Sequence, residues 1–125
     1  FLRGNKTVRK RVTNYLQEYN SLNLSIITYY EIYSGLKYRD SQNMLSDFKD
    51  FVALNNLLPL TQAASNKAGQ LYAKLRQEGQ LIDDIDLLIA GIALTNELTL
   101  ITHNQSHFNR IPELKIEDWT GLEKK

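Results

Sequence analysis

The residues whose types and spacing could do chemistry are carboxylates. Asp83, Asp84 and Asp86 are packed together, and Asp86 opens the apolar run DLLIAGIAL. A carboxylate on the first turn of a helix that must be mostly buried needs a partner, and a divalent cation is one. Hard cations such as Mg2+ take oxygen ligands, usually a few carboxylates with waters retained. Asp83 and Asp84 read equally well as helix N-caps, which the helix dipole also favours. Glu31 stands three residues after Thr28 in a capping-box pattern, and taken alone it is a cap partner. His103 and His107 sit four apart, as zinc ligands on one helix face do. Their segment, HNQSHFNR, reads as a polar loop without a nearby acidic ligand, so zinc is not expected there.

Other chemistries have less support. There is no cysteine, which removes disulfides and thiolate metal sites and suits a reducing cytoplasm. No GxSxG elbow, GxGxxG or Walker sequence occurs, which argues against a serine hydrolase or a nucleotide cofactor. The 125 residues are 42% apolar and 23% charged, which fits one globular domain spanning 1–125. No apolar stretch approaches the roughly 20 residues that span a bilayer, and no secretory signal pattern is visible. Net charge is only +1, but its distribution is uneven. Arg3, Lys6, Arg9, Lys10 and Arg11 all precede the first acidic residue, Glu18. A basic region beside an acidic cluster suits a metal-dependent nuclease, which attracts phosphates at one place and binds cations at another. The same basic stretch also reads as an ordinary solvated helix face.

The elements that must position these residues alternate between helical and extended. Val8, Val12, Tyr15, Leu16 and Tyr19 share one face of a helix over Thr7 to Tyr19. Leu24 to Thr28 reads as a short buried strand, and Thr28 to Lys37 as a helix capped by Thr28. A helix is expected over Gln42 to Leu54 with Leu45, Phe48, Phe51 and Val52 inward. Leu57 to Leu60 reads as a weak edge strand because of Pro59. Thr61 caps a long helix closed by Gly79 as a left-handed cap. The DLLIAGIAL helix follows, with Ala90 and Gly91 allowing close packing against a sheet. Leu98 to Thr102 is the clearest strand, and Leu114 to Trp119 a final edge strand. Such alternation implies an α/β fold with a largely parallel sheet, in which chemistry gathers at the carboxyl ends of strands. Glu31, the Asp83 to Asp86 cluster, and His103 with Asn104 all fall at such ends.

These pieces, in this order, resemble the PIN domains of VapC toxins. The resemblance rests on Glu31 with Gly35 and Leu36, on Asp86 before Leu87 to Ala90, on Thr102 followed by Phe108 and Arg110, and on Asp118 with Trp119. It implies a three-layer α/β/α PIN-like domain acting as an Mg2+- or Mn2+-dependent endoribonuclease, the toxin of a toxin–antitoxin pair. Glu31 and Asp86 would be catalytic metal ligands, Asn104 an outer or weak ligand, and Asp83 a holder of metal-bound water. Arg3, Lys6, Arg9, Lys10 and Arg11 would bind the RNA backbone. The implied partners are RNA, a VapB-type antitoxin and a second copy of the chain. Tyr29, Tyr30 and Tyr33 crowd one short helix and cannot all face one core, which also points to a homodimer.

Family members begin with an apolar strand ending in an Asp-Thr-Asn-like motif, whose aspartate is a metal ligand. Phe1 to Asn5 resembles the segment just after it, so the strand and aspartate are expected to be missing from this sequence. In the loop after Thr102, Asn104 and His107 stand where many relatives carry Asp or Glu. Two other readings follow: an inactive PIN-like module that dimerises or binds antitoxin, and a regulatory α/β module whose acids only cap helices.

Overall fold

The computed structural model describes residues 6–19 and 21–120, with side chains from Lys10 onward, apart from residue 20. The chain divides into two compact units, Phe1–Leu58 and Pro59–Lys125.

The first unit contains α1 (Lys6–Tyr19), β1 (Asn23–Ser25), α2 (Ile26–Tyr38), α3 (Gln42–Ala53) and β2 (Asn56–Leu58). The expected strand through Thr28 is shorter than its sequence suggests. Ser25 ends it and caps α2, its hydroxyl accepting from the Thr28 backbone N–H at 3.0 Å and donating to the Thr28 hydroxyl. Ile26 and Ile27 therefore lie in the helix. Isoleucine disfavours a helix by only a few tenths of a kcal/mol relative to most residues, whereas a side-chain cap contributes about 1 kcal/mol. Glu31 consequently sits in the second turn of α2 and is not the partner of a Thr28 capping box.

The core of this unit is Leu36, Leu45 and Phe48, with Leu24, Tyr29, Ile32, Tyr33, Met44 and Val52 packed around them. Tyr29 stacks on both Tyr33 and Phe48, while Tyr30 faces away at 61% exposed, so the crowded tyrosines do divide between faces. Strands β1 and β2 pair in parallel, Leu24 opposite Leu57. Asn55 anchors that pairing. Its carbonyl oxygen accepts from the Leu22 backbone at 2.7 Å, and its amide donates to the Phe51 carbonyl. Strand β2 ends before Pro59, which has no N–H to give a ladder.

The second unit contains α4 (Gln62–Gln77), α5 (Asp84–Thr95), β3 (Leu100–Ile101), α6 (Gln105–Phe108) and β4 (Ile116–Glu117). Thr61 caps α4 as its sequence indicates, accepting from the Ala64 N–H at 3.0 Å. Gly79, at φ +68°, closes it: the Gln80 N–H reaches the Leu75 carbonyl and the Gly79 N–H that of Arg76. Gly91 is where α5 touches α4. A Cβ there would run into the Ala64 carbonyl oxygen and lie 3.2 Å from the Ala68 Cβ and N. The close approach expected of Ala90 and Gly91 thus includes, at Gly91, a neighbouring helix, because the Ala64/Ala68 stripe offers an equally flat surface.

Strands β3 and β4 pair in parallel, Leu100 opposite Ile116. Both are shorter than the apolar runs containing them. The polar segment after β3 is not wholly a loop, since Gln105–Phe108 forms the single-turn helix α6, anchored by buried Phe108. All paired strands among the described residues are parallel, and they alternate with helices as an α/β fold requires. No described helix is long and apolar enough to cross a membrane.

Candidate active site

Asp86 is placed by burial of its neighbours. Leu87, Ile89, Ala90, Gly91, Ile92 and Ala93 are all buried, which fixes the rotation of α5 and so the direction of its first turn. Asp83 occupies the N-cap position without a side-chain cap bond, and Asp84 and Asp86 follow where the helix dipole favours negative charge. The Asp86 side chain is only 15% exposed, although Asp83 and Asp84 on either side of the helix start are exposed.

The segment after β3 brings two further polar groups to Asp86. The Asn104 N–H donates to the Thr102 hydroxyl at 3.0 Å, which turns the chain into α6. Phe108, 3% exposed, holds that turn down. His107 Nδ1 then lies 2.9 Å from Asp86 Oδ2, and the Asn104 amide nitrogen 3.5 Å from the same oxygen. Asn104 Nδ2 and His107 Nδ1 are themselves 2.9 Å apart. Arg110 steadies the approach to α5, donating to the Gln80 and Leu81 carbonyls at 3.3 and 3.1 Å.

A second polar cluster ties the ends of β3 and β4 together. Asp118 is the one buried charged side chain among the described residues, at 7% exposed. Its Oδ1 accepts from the Thr120 backbone N–H at 2.9 Å and from the Thr120 hydroxyl at 2.6 Å. Its Oδ2 lies 2.9 Å from His103 Nδ1. The Thr120 hydroxyl and backbone bonds are the main cause that lowers the Asp118 pKa, with His103 adding to them and partial desolvation opposing.

Of the residues expected to carry function, Asp86 and Asn104 meet within one unit. Asp83 stands three residues before Asp86, exposed at the start of the same helix. Glu31 is exposed on α2 in the other unit. Lys10 is exposed and Arg11 half-buried on α1, which also carries Lys6 and Arg9 in its backbone; Arg3 lies outside the described residues. The contact of His107 with Asp86 is not evident from the sequence. The two histidines do not share one site, and each has an acidic neighbour that their segment alone does not supply: His103 turns to Asp118 and His107 to Asp86. Among the described residues, no three His, Cys, Asp or Glu side chains converge. The donors at Asp86 are one carboxylate, one amide and one imidazole. Such a set fits a divalent cation that takes a few protein ligands and completes its shell with water or substrate oxygens.

Known proteins match the chain in sequence and in fold. The PIN domain family model matches residues 2–114. The tRNA(fMet)-specific endonuclease VapC of Shigella flexneri is 32% identical over 78% of this chain and 74% of its own length. Ribonuclease VapC1 of Methanocaldococcus jannaschii is 33% identical over 82% of this chain and 75% of its own. Among solved structures, DNA-bound VapBC from Salmonella typhimurium superposes with a TM-score of 0.82 at 28% identity, covering 94% of this chain and 87% of that one. VapBC-1 from nontypeable Haemophilus influenzae gives 0.77 at 30% identity, covering 94% and 88%. With its family model matched over most of its length and with VapC relatives at this level of identity, the chain belongs to the PIN-domain family, among the VapC ribonucleases.

Proposed function

We propose that the protein is a divalent-metal-dependent endoribonuclease, the toxin of a VapBC-type pair, hydrolysing RNA phosphodiester bonds in the cytoplasm. The observation that carries this reading is the shielded Asp86 carboxylate, met by Asn104 and His107 on an α5 helix whose buried face leaves it little freedom. Mg2+ or Mn2+, when bound, would contribute positive charge beside a phosphate oxygen and make water easier to deprotonate. Asp86 would hold the cation, and Glu31 is proposed as a catalytic carboxylate on the family resemblance. Asn104 is a weak ligand, and Asp83 accepts a hydrogen bond from water at the edge of the site. Lys6, Arg9, Lys10 and Arg11 on α1, with Arg3 before it, neutralise RNA phosphates, which makes affinity fall with salt. A VapB-type antitoxin is the expected partner, because the relatives of known structure are VapBC complexes. A homodimer is also expected, with exposed Tyr30 as a contact residue.

The test is RNA cleavage by the wild-type protein and Asp86→Asn, with tRNA offered first because of the substrate in the Shigella relative's name. Cleavage by wild type should stop on chelation and return with Mg2+ or Mn2+. The isosteric variant should lose at least about 100-fold in rate, the scale on which key transition-state contacts act, while its circular dichroism stays unchanged. Undiminished, chelator-resistant cleavage by Asp86→Asn would overturn the assignment.

A further inference from the structure

We infer that the outward stripe of α2 is a path for single-stranded RNA, on which Tyr38 stacks one base while Gly35 lets the sugar–phosphate backbone pass toward Glu31. The inference rests on the ribonuclease reading above, which places Glu31 in the catalytic centre. It adds to that reading a substrate-positioning residue and the form of RNA taken.

The core fixes the rotation of α2. Leu36 belongs to it, and Tyr29, Ile32 and Tyr33 pack against it. Glu31, Gly35 and Tyr38 follow at i, i+4 and i+7, which puts them on one stripe of the opposite side. All three are exposed. Two of them are costly there. Tyr38 is 92% exposed, so its ring forgoes the burial that Tyr29 and Tyr33 obtain from the same helix. Gly35 lies inside the helix, where only proline is a poorer helix former. Packing does not require it: a Cβ at Gly35 would meet nothing within 4 Å among the described residues. This is the reverse of Gly91, whose bare backbone admits a neighbouring helix. At Gly35 the bare strip is open to a molecule from outside.

The surrounding charge selects that molecule. Lys37 and Arg39 flank Tyr38 and are exposed, and among the described residues neither is in an ion pair. An aromatic face between cations suits single-stranded nucleic acid, whose base stacks while its phosphates are neutralised. A protein partner would favour a stripe with less charge at its centre. The platform is also held in place. Asp40, at φ +52°, closes α2 directly after Arg39, with the Ser41 N–H on the Leu36 carbonyl at 3.2 Å and the Asp40 N–H on the Lys37 carbonyl at 3.1 Å. Seven residues of helix rise about 10 Å. At the stacked rise of about 3.4 Å per nucleotide, that is about three nucleotides. The base on Tyr38 therefore lies within about three nucleotides of a phosphate at Glu31. Duplex bases are already stacked on each other, so the path takes loops and ends.

The experiment measures RNA binding in EDTA by wild type, Tyr38→Phe, Tyr38→Leu, Gly35→Gln and Lys37→Ala. The probes are a fluorescein-labelled single-stranded RNA of mixed sequence, its duplex, and the single strand carrying 2-aminopurine, whose fluorescence is quenched by stacking. Tyr38→Leu should bind the single strand about tenfold more weakly, as loss of one base–aromatic stack implies. Tyr38→Phe should stay within about threefold of wild type. Quenching of 2-aminopurine should survive in Tyr38→Phe and disappear in Tyr38→Leu. Gly35→Gln should match or exceed wild type in urea midpoint, since it places a better helix former in open space, yet bind the single strand more weakly. Lys37→Ala should lower the salt slope by about 1. Duplex binding should not depend on Tyr38. Undiminished binding by Tyr38→Leu or Gly35→Gln would overturn the inference, as would equal losses in Tyr38→Phe and Tyr38→Leu. If Tyr38→Leu binds RNA normally but changes the sedimentation of the protein from dimer to monomer, the stripe contacts a second copy and the inference falls. In these cases a wild type that still cleaves RNA keeps the underlying reading. If wild type neither binds RNA nor cleaves it with Mg2+ or Mn2+, both fall together.

Discussion

Gly91→Ala should destabilise the protein even though it places a better helix former inside a helix. Two effects compete. Replacing glycine by alanine in a helix interior gains about 1 kcal/mol of propensity. Against this, the new Cβ has no room. It would press into the Ala64 carbonyl oxygen, which is backbone and cannot rotate away, and sit 3.2 Å from both the Ala68 Cβ and N. Relief requires α4 and α5 to separate. Overpacking of this kind costs about 1–3 kcal/mol, and a clash with main chain belongs at the upper end. The expected net loss is about 2 kcal/mol. With a urea m-value of roughly 1.5–2 kcal/mol/M for a chain of this size, the midpoint should fall by about 1 M. Ala68→Gly in the same background should restore little, since it removes the neighbouring Cβ but leaves the Ala64 carbonyl in place. Urea unfolding followed by circular dichroism measures the wild type and both variants. A Gly91→Ala protein as stable as wild type, or full rescue by Ala68→Gly, would show that the helices do not meet as described.

Two further outcomes are expected. Helix α5 ends in a left-handed residue that is not glycine: Glu97 has φ +55°, with the Leu98 N–H bonded to the Ala93 carbonyl at 2.9 Å. Glu97→Gly should therefore raise stability by about 1 kcal/mol, the cost of a side chain in that conformation, and an unchanged or lower urea midpoint would refute it. Asp118→Asn should be less stable than wild type at neutral pH, because the Thr120 and His103 bonds favour the carboxylate. The Asp118 pKa is lowered on folding, so its contribution is full above the ordinary carboxylate value and fades as pH falls through the folded one. The stability gap between the two proteins should then narrow below about pH 4, and a gap that widens on acidification would contradict the assignment.

The parts of the molecule legible in the sequence are those set by local periodicity. The DLLIAGIAL run could only be a helix with most of its surface covered, and Thr61 and Gly79 delimit α4 because each is chemically suited to its cap. Strand limits were harder to read, since Ile26 and Ile27 are β-formers that a serine cap draws into a helix. The shielded placement of Asp86 was legible for the same reason as its helix: burial around it forces the question of its partner. The identity of that partner was not legible. His107 stands 21 residues from Asp86, in a segment whose polar composition suggests a loop. What places it is the single turn of α6, too short to leave a periodic signal. One buried aromatic, Phe108, fixes that turn from outside. A polar segment with a lone large apolar residue in its middle is the available clue, because such a residue must be buried somewhere and its neighbours are carried with it. Phe108→Ala should therefore act on the site as well as on the fold. The lost burial costs about 3–5 kcal/mol, and Asn104 and His107 should lose their fixed approach to Asp86. In the fraction that remains folded, Mn2+ should bind more weakly than in wild type. Wild-type Mn2+ affinity in folded Phe108→Ala would mean that α6 holds its shape without its anchor.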